Sequence, residues 1–290
     1  MDPSRSLEGY YKIEKVPKIV LLTSGLINSR KVAIILNLLE INFDIITISH
    51  SCRKKRENSL LNFLKITLLD TLSNIKYLRI IKQRSLPPYP KKTYYAGRPN
   101  SVKLLKILDK KKPDYIFLFA GNLISSEVIG KAKKGVINVH PGLLPWLRGS
   151  DVIKHAILRD IPIGVTSHFV DTGIDTGKII FRYLLPINKN ESFKSIKGRL
   201  SHLICAVFID LAVSINDGNE IFSFPQIKKF PLCRIIDQNE NLNYKNLTNS
   251  LHAFNLYKKS LHSNCNITSG DVLISDYLCL LRKYDLLNLL

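Results

Sequence analysis

The stretch KIVLLTSGLINSRKVAIILNLLEINFDIITIS, residues 18–49, decides the fold class. It holds two short apolar runs, Lys18–Ser24 and Phe43–Ser49, and between them apolar residues at helical spacing from Lys31 to Leu39. Short apolar runs are typical of buried strands, whereas steps of three and four favour a helix. A strand, a helix and a strand in this order predict an α/β fold, with a mostly parallel sheet and helices on both of its faces.

The same alternation continues to residue 217. Further buried strands are predicted at Asp114–Ala120, Val136–His140, Ile163–Val170 and Lys178–Leu185. Helices are predicted after a cap at Asn100 or Ser101, after a cap at Ser150, and from Phe193 to Ile215, where the apolar stripe indicates core rather than a cofactor-binding motif. A helix around Leu60–Leu72 and a strand at Tyr77–Ile81 are weaker predictions.

Composition bounds the class of protein. The chain has 290 residues, 45% hydrophobic and 23% charged, which is typical of a globular protein and excludes a disordered one. The formal net charge of +20 favours an anionic partner without choosing among nucleic acid, nucleotides, polyglutamylated cofactors and membranes. A general bias towards lysine, isoleucine and asparagine explains the charge equally well. We interpret the basic run Arg53–Arg56 as a solvated loop.

The cysteines and the chain ends indicate location and domains. The five cysteines form no CxxC pair and no metal-ligand spacing with histidine, so we expect reduced thiols and no metal site. The N-terminus lacks the apolar core of a signal peptide, and no run of apolar residues has the length of a membrane span. We therefore expect a cytoplasmic protein with no membrane partner. Its predicted parts are a leader (1–17), a catalytic domain (18–217) and a small C-terminal extension (218–290).

The segment INVHPGLLPWLRG, residues 137–149, carries the first chemical signal. Residues two apart on a strand face the same side, so Asn138 and His140 are expected to project together. Pro141 and Gly142 end the strand there. Open α/β sheets bind ligands at the carboxyl ends of their strands, which predicts a site at this point.

The segment HFVDTGIDTGK, residues 168–178, carries the second signal. It is predicted to lead from a strand into a loop with two acids, Asp171 and Asp175. An amide and an imidazole can stabilise a developing oxyanion, and a carboxylate can orient the imidazole and accept a proton. No GxSxG nucleophile motif occurs, so the nucleophile is expected to come from the substrate, and an amine fits. Asp171 has an alternative interpretation as a turn-forming residue, and His168 has one as a structural histidine.

These motifs, Asn138-Val-His140-Pro-Gly-Leu-Leu-Pro followed by GVTSHFVDTGIDTG, resemble those of the folate-dependent formyltransferases. The resemblance is strong from about Asp114 to Leu185, extends more weakly from Lys18 to Leu211 and ends near Gly218. It implies a Rossmann-like formyltransferase domain, an enzyme, and N10-formyltetrahydrofolate as the formyl donor.

The resemblance also implies roles for single residues. Asn138 and His140 would polarise the formyl oxygen, and Asp175 would orient His140 and assist removal of the amine proton. The residues implied in binding the folate are Gly121, Asn122, Leu123, Ile124, Val139, Asp171, Thr172 and Gly173. Trp146 and Arg148 remain open between substrate contact and packing.

The acceptor amine stays open among several candidates. A nucleotide-linked 4-amino-dideoxy sugar is favoured, because a catalytic domain with a modest C-terminal part is typical of sugar N-formyltransferases. Methionyl-tRNA is the alternative, although residues 219–290 lack the alternating strands expected of the β-barrel that those enzymes append. A third hypothesis, from another class, is a non-catalytic, basic nucleic-acid-binding protein on the same fold. A homodimer is left open.

Overall fold

The computed structural model describes residues 16–49, 88–159, 161–188, 191–226, 230–233 and 267–269, together with residues 274 and 278. The predicted helix at 60–72 and strand at 77–81 lie outside these residues. The helices are α1 (Ile27–Leu38), α2 (Val102–Lys111), α3 (Ser126–Ile129), α4 (Val152–Leu158) and α5 (Phe193–Asn216). The strands are β1 (Ile19–Thr23), β2 (Phe43–Thr47), β3 (Thr93–Tyr95), β4 (Tyr115–Phe119), β5 (Gly135–His140), β6 (Arg148–Gly149), β7 (Gly164–Phe169), β8 (Ile179–Leu184), β9 (Leu232–Cys233) and β10 (Ile267–Ser269).

Eight strands form one sheet in the order β10-β8-β7-β5-β4-β1-β2-β3. Neighbouring strands pair in parallel along one part of the sheet, which comprises β5, β4, β1, β2 and β3 in that order. Strand β7 pairs antiparallel with both β5 and β8. The predicted α/β fold with a mostly parallel sheet is confirmed. The direction of β7 was not predicted, because hydrophobic patterning fixes which face a residue takes but not the direction of a strand.

The two faces of the sheet are buried under different helices. Along β1, Ile19 and Leu21 belong to one buried cluster and Val20 and Leu22 to the other, which follows the two-residue period of a strand. Helices α1 and α5 cover the first face, and α2 and α3 cover the second. Residues buried on both faces explain why the strands read as continuous apolar runs.

Helix α5 could be mistaken for a membrane-spanning helix. Its length and mean hydropathy would suit a membrane span. However, it turns eleven buried side chains towards the sheet and α1, including Leu200, Val207 and Phe208. The ring of Phe208 lies 4.0 Å from that of Phe119 on β4. The helix is therefore part of the core, as its apolar stripe predicts.

Helix starts were predicted with mixed success. Ser101 caps α2 and accepts a hydrogen bond from the Leu104 amide at 3.2 Å, as predicted. The predicted cap at Ser150 is wrong, because α4 begins after Asp151, whose side chain makes no capping bond. Asp151 has a left-handed backbone (φ 51°), so the chain turns one residue later than the serine suggests.

Residues from the predicted C-terminal extension join the strands of the predicted catalytic domain. Phe224 bridges Ile179 on β8, β9 pairs with β6, and β10 pairs with β8 at the edge of the sheet. The chain beyond residue 217 therefore contributes both to the sheet and to the surroundings of the Asp171–Asp175 loop. The domain boundary itself stays a prediction.

Candidate active site

Asn138, His140 and His168 lie on one face of the antiparallel pair β5–β7. Asn138 stands directly opposite His168, and His140 stands opposite Thr166. Directly opposed residues on antiparallel strands share a face and lie close enough to interact. The Asn138 carboxamide Nδ2 accordingly lies 3.3 Å from Nε2 of His168.

The imidazole of His140 is buried and held through both nitrogens. Its Nε2 lies 2.7 Å from the Leu147 carbonyl oxygen, and its Nδ1 lies 3.4 Å from Oδ2 of Asp175. A carbonyl oxygen only accepts, so Nε2 carries a proton and donates it to Leu147. A Cβ on Gly142 would meet the Leu147 oxygen at 2.9 Å and Nε2 of His140 at 3.0 Å. The glycine after His-Pro therefore leaves room for this hydrogen bond.

His168 is a neutral acceptor that orients Asn138. Burial lowers the pKa of His168 well below its ordinary value, outweighing the attraction of Asp175. Its Nδ1 donates to the Phe169 carbonyl oxygen at 2.8 Å, which leaves Nε2 as an acceptor. The amino group of Asn138 must then face His168, because an acceptor requires a donor opposite it. His168 is thus explained as a positioning residue.

The lowered pKa of His168 predicts a pH dependence of stability. The unfolded chain binds a proton near pH 6.5 and the folded chain does so only at lower pH, so acid favours unfolding. Between pH 7 and pH 5 the free energy of unfolding should fall by up to about 2 kcal/mol through this residue. Urea unfolding at the two pH values would measure the fall, and a His168→Gln variant should show a smaller one. An equal fall in both proteins would contradict this assignment.

The loop that carries the two acids doubles back along β5. The Val170 amide donates to the Val136 carbonyl at 2.8 Å, which places the start of the loop beside the first residues of β5. Asp175 then returns to the last residue of that strand. Its Oδ2 accepts a hydrogen bond from the Gly149 amide at 2.9 Å, and its backbone is left-handed, with φ 52°. The structure therefore brings Asn138, His140 and Asp175 together from two separate segments.

Asp171 is occupied within its own loop. Its Oδ1 accepts hydrogen bonds from the Gly173 amide at 3.0 Å and from the Thr176 hydroxyl at 2.6 Å. Bonds of this kind are typical of an aspartate that forms a turn. The side chain of Asp171 thus shapes the loop, and Asp175 is the acid that reaches the two histidines.

Two residues hold the Asp171–Asp175 loop, called the Asp175 loop from here on. The sequence did not identify this role for either of them. Arg148 donates through Nε and Nη2 to the Ile174 carbonyl at 3.0 and 2.8 Å, and through Nη1 to the Phe230 carbonyl at 3.0 Å. Gln226 donates to the backbone carbonyls of Asp175 and Gly177 at 3.1 and 2.8 Å. These contacts assign Arg148 to holding the loop rather than to substrate phosphate. Contacts from a side chain to backbone carbonyls have no sequence motif by which they could be predicted. The Arg148-Gly149 pair was noted in the sequence, but its role was not.

Replacing Gln226 by leucine should loosen the Asp175 loop. The change removes two hydrogen bonds to backbone carbonyls, and a misplacement of about 1 Å at a catalytic group can lower the rate up to ~100-fold. We expect the kcat of the predicted formyl transfer to fall about 10-fold, with little change in the affinity for the predicted formyl donor. Steady-state kinetics and donor binding would measure both. A variant with unchanged kcat would show that Arg148 alone suffices to hold the loop.

The residues predicted to bind folate lie in two loops and one strand. Gly121–Ile124 follow β4 at the carboxyl edge of the sheet, with Leu123 exposed and Asn122 and Ile124 buried. The Asn100 side chain ties this loop down by donating to the Leu123 carbonyl and accepting from the Ser125 amide. Val139 points into the core, so its contribution to a ligand is limited to its backbone. Thr172 and Gly173 lie in the Asp175 loop, and their role in binding folate stays a prediction.

A cavity of about 480 Å³ adjoins Asp175. It lies between the Asp175 loop and β9 and is lined by Gly149, Ser150, Ile174, Pro231, Leu232 and Cys233. Gly149 belongs to the wall of this cavity and also donates its amide proton to the carboxylate of Asp175. Burial raises the pKa of the Cys233 thiol, so this wall is uncharged at neutral pH. A ligand in the cavity would therefore lie next to the acid.

Residues 74–211 match the family model described as formyl transferase, which confirms the resemblance indicated by the Asn138 and Asp175 motifs. Methionyl-tRNA formyltransferase from Ehrlichia ruminantium (strain Gardel) is 35% identical over 124 residues, covering 41% of this chain and 41% of that protein. The bifunctional polymyxin resistance protein ArnA from Wigglesworthia glossinidia brevipalpis is 31% identical over 198 residues, covering 65% of this chain and 30% of that protein. The chain thus spans less than half the length of either relative.

Solved structures share the fold. The formyltransferase PseJ from Anoxybacillus kamchatkensis superposes with a TM-score of 0.51 at 20% identity, covering 81% of this chain and 97% of that one. A sugar N-formyltransferase from a Shewanella species gives a TM-score of 0.53 at 14% identity, covering 80% and 86%. The predicted Rossmann-like formyltransferase fold is confirmed.

Proposed function

We propose that this protein transfers the formyl group of N10-formyltetrahydrofolate to the primary amine of an acceptor. The observation that carries the proposal is the convergence of Asn138, His140 and Asp175, with 3.4 Å between His140 Nδ1 and Asp175 Oδ2. A formyltetrahydrofolate bound here would supply the electrophilic carbonyl carbon. The chain would supply the groups that polarise this carbonyl and remove the proton.

Asn138 and His140 form the side of the site that stabilises negative charge on the carbonyl oxygen. His168 takes one N–H of the Asn138 amino group, and the other N–H can be donated to a ligand. The hydrogen bond to Leu147 fixes the ring of His140 so that Nδ1 faces the site. The amino group of Asn138 is thus a donor that is already oriented and needs no reorganisation when charge develops, which is the main source of such stabilisation.

Asp175 is the group that accepts the amine proton. Its Oδ2 is engaged by the Gly149 amide and by His140. Its Oδ1 lies 3.7 Å from Nε2 of His168, beyond the length of a hydrogen bond. Oδ1 therefore has a lone pair available for the proton that the amine loses as its bond to the formyl carbon forms. The bond between the formyl carbon and N10 then breaks, and the same proton passes to N10, so that tetrahydrofolate leaves neutral at that nitrogen.

The site residues fit the pterin and formyl portion of the donor. Gly121–Ile124 and Asp171–Gly173 would hold the flat ring system. Asp171 is already occupied by Gly173 and Thr176, so its loop would offer backbone groups rather than a carboxylate. Asn138, half-buried at the end of β5, would face the reactive carbonyl.

The acceptor that we favour is a nucleotide-linked 4-amino-dideoxy sugar. The cavity beside Asp175 is lined largely by apolar side chains and backbone, which suits a deoxygenated sugar carbon better than a hydroxylated one. The PseJ structure of the same fold contains UDP-4,6-dideoxy-4-formamido-L-AltNAc and tetrahydrofolate. Methionyl-tRNA is the second candidate, supported by the relatives that bear that enzyme's name. In either case we place the reaction in the cytoplasm.

Release of tetrahydrofolate tests the proposal. The protein would be incubated with N10-formyltetrahydrofolate and either a dTDP- or UDP-linked 4-amino-dideoxy sugar or methionyl-tRNA. We expect turnover that depends on the amino sugar, with the formamido product identified by mass spectrometry. Turnover with methionyl-tRNA alone would select the second candidate. No turnover with either acceptor, together with binding of RNA, would favour the non-catalytic hypothesis.

A further inference from the structure

Positive charge is distributed unevenly along the chain, and residues 88–112 form one of its basic stretches. Residues 88–112 hold eight lysines and arginines and a single acid, Asp109, and so carry seven of the twenty net positive charges. Residues 113–240, a segment about five times as long, carry a net charge of +3. A general bias towards lysine would spread the charge evenly along the chain. The charge of residues 88–112 therefore requires a local explanation.

The structure places these charges just before β3, in the loop after it and along α2. The exposed cations of this surface, which we call the basic face, are Lys91, Lys92, Arg98, Lys103, Lys106, Lys110 and Lys112. Among the strands that the structure describes, β3 is the outermost on this side of the sheet. Along α2, Lys103, Lys106 and Lys110 follow one another in steps of three and four, so they share one side of the helix. Leu104 and Leu108 are buried beneath them and fix the helix on the sheet.

The acids near the basic face are already neutralised. Asp109 forms an ion pair with Lys131 at 2.6 Å. Asp44 is paired with Lys111 at 2.7 Å and with Lys18 at 3.2 Å, which lowers the pKa of its carboxyl group. Within the part of the chain that the structure describes, none of the seven cations of the basic face forms an ion pair. Their charge is available to an external anion.

An exposed tyrosine lies among these cations. Tyr95, at the end of β3, is 60% exposed, and Nζ of Lys103 lies 5.5 Å from the centre of its ring. Val102, beside Lys103, is 67% exposed. An aromatic ring that can stack on a base, next to cations that can contact the phosphates, is the arrangement by which proteins bind single-stranded nucleic acid. A membrane surface would instead require an apolar helix face, and α2 presents lysines.

We propose that the basic face binds RNA, with a base stacked on Tyr95 and phosphates contacted by the lysines of α2. Three strands, β4, β1 and β2, separate β3 from β5, which places the face about 19 Å from the candidate active site at ordinary strand spacing. The proposal therefore does not depend on which amine the active site formylates. It adds a second, separate binding surface to the protein.

Fluorescence anisotropy with a fluorescein-labelled, 20-nucleotide single-stranded RNA of mixed sequence tests the proposal. The full-length protein and the double variant Lys103→Glu/Lys106→Glu would be titrated between 50 and 200 mM KCl. Each phosphate contact that is lost should lower the slope of log K against log salt concentration by about 0.7. Tyr95→Ala should weaken binding by about 10-fold, as expected for the loss of one stacked base.

A matched control is available on α5. Lys194 and Lys197 are exposed, and Lys197 lies 5.7 Å from the ring of Phe193, a geometry similar to that of Lys103 and Tyr95. The variant Lys194→Glu/Lys197→Glu makes the same change in charge and should leave RNA affinity within about 2-fold after correction for net charge. Circular dichroism would verify that all variants are folded. Equal losses in the two double variants, absence of RNA binding, or binding to phosphatidylserine vesicles in preference to RNA would each overturn the proposal.

Discussion

Replacing Asp175 by asparagine should lower kcat for formyl transfer at least ~100-fold. Asparagine keeps the shape of the side chain and can still accept the hydrogen bond from the Gly149 amide. It cannot accept the proton that Oδ1 is placed to receive, and it removes the negative charge that faces His140 at 3.4 Å. Stopped-flow or steady-state measurement of tetrahydrofolate release, with the favoured acceptor at saturation, would give kcat.

His140→Ala should have an effect of similar size, because it removes the imidazole that lies 3.4 Å from Asp175 Oδ2 and lines the site beside Asn138. The binding of the donor should change little in both variants, since neither side chain belongs to the segments predicted to hold the pterin. Asp109→Asn is the matched control, because Asp109 is exposed on α2, where it pairs with Lys131 at 2.6 Å, and this variant should retain near-normal kcat. Near-normal rates in both Asp175→Asn and His140→Ala would show that the assigned roles are wrong.

The sequence predicted the members of the site better than their arrangement. Asn138 and His140 could be placed on one face because the two-residue period of a strand depends on local geometry alone. Their partner Asp175 was found from its motif. The return of the Asp175 loop along β5 follows from the antiparallel pairing of β7, which is a tertiary feature that hydrophobic patterning does not encode.

The strands that the sequence did not predict are also determined by tertiary pairing rather than by local sequence. Strand β3 comprises only Thr93–Tyr95 and follows several prolines, so its local sequence indicates a loop. It becomes a strand because β2 offers it an open edge, with Ile45 paired to Thr93. Strands β9 and β10 are likewise short and gain their conformation from β6 and β8. Long buried strands were predicted, and short pairing strands were not.

Gly177→Ala should destabilise the protein and slow formyl transfer together. A Cβ at position 177 would overlap the Phe169 carbonyl oxygen and lie 2.8 Å from its carbon. Both atoms belong to the backbone of β7, so no side chain can rotate away. Overpacking of this kind costs about 3 kcal/mol when the neighbours cannot move. Urea unfolding should therefore show a large decrease in the free energy of unfolding.

The expected decrease in the rate of formyl transfer depends on which backbone segment moves to relieve the overlap. Strand β7 is held on both sides by β5 and β8, so the loop must shift instead, and with it Asp175 two residues away. Gly198→Ala on α5 is the control, because a Cβ there meets no atom within 4 Å. Alanine in a helix interior should raise stability by up to about 1 kcal/mol and leave kcat unchanged. If Gly177→Ala were as stable and as active as Gly198→Ala, the close contact between the Asp175 loop and β7 could not be what fixes the position of the Asp175 carboxylate.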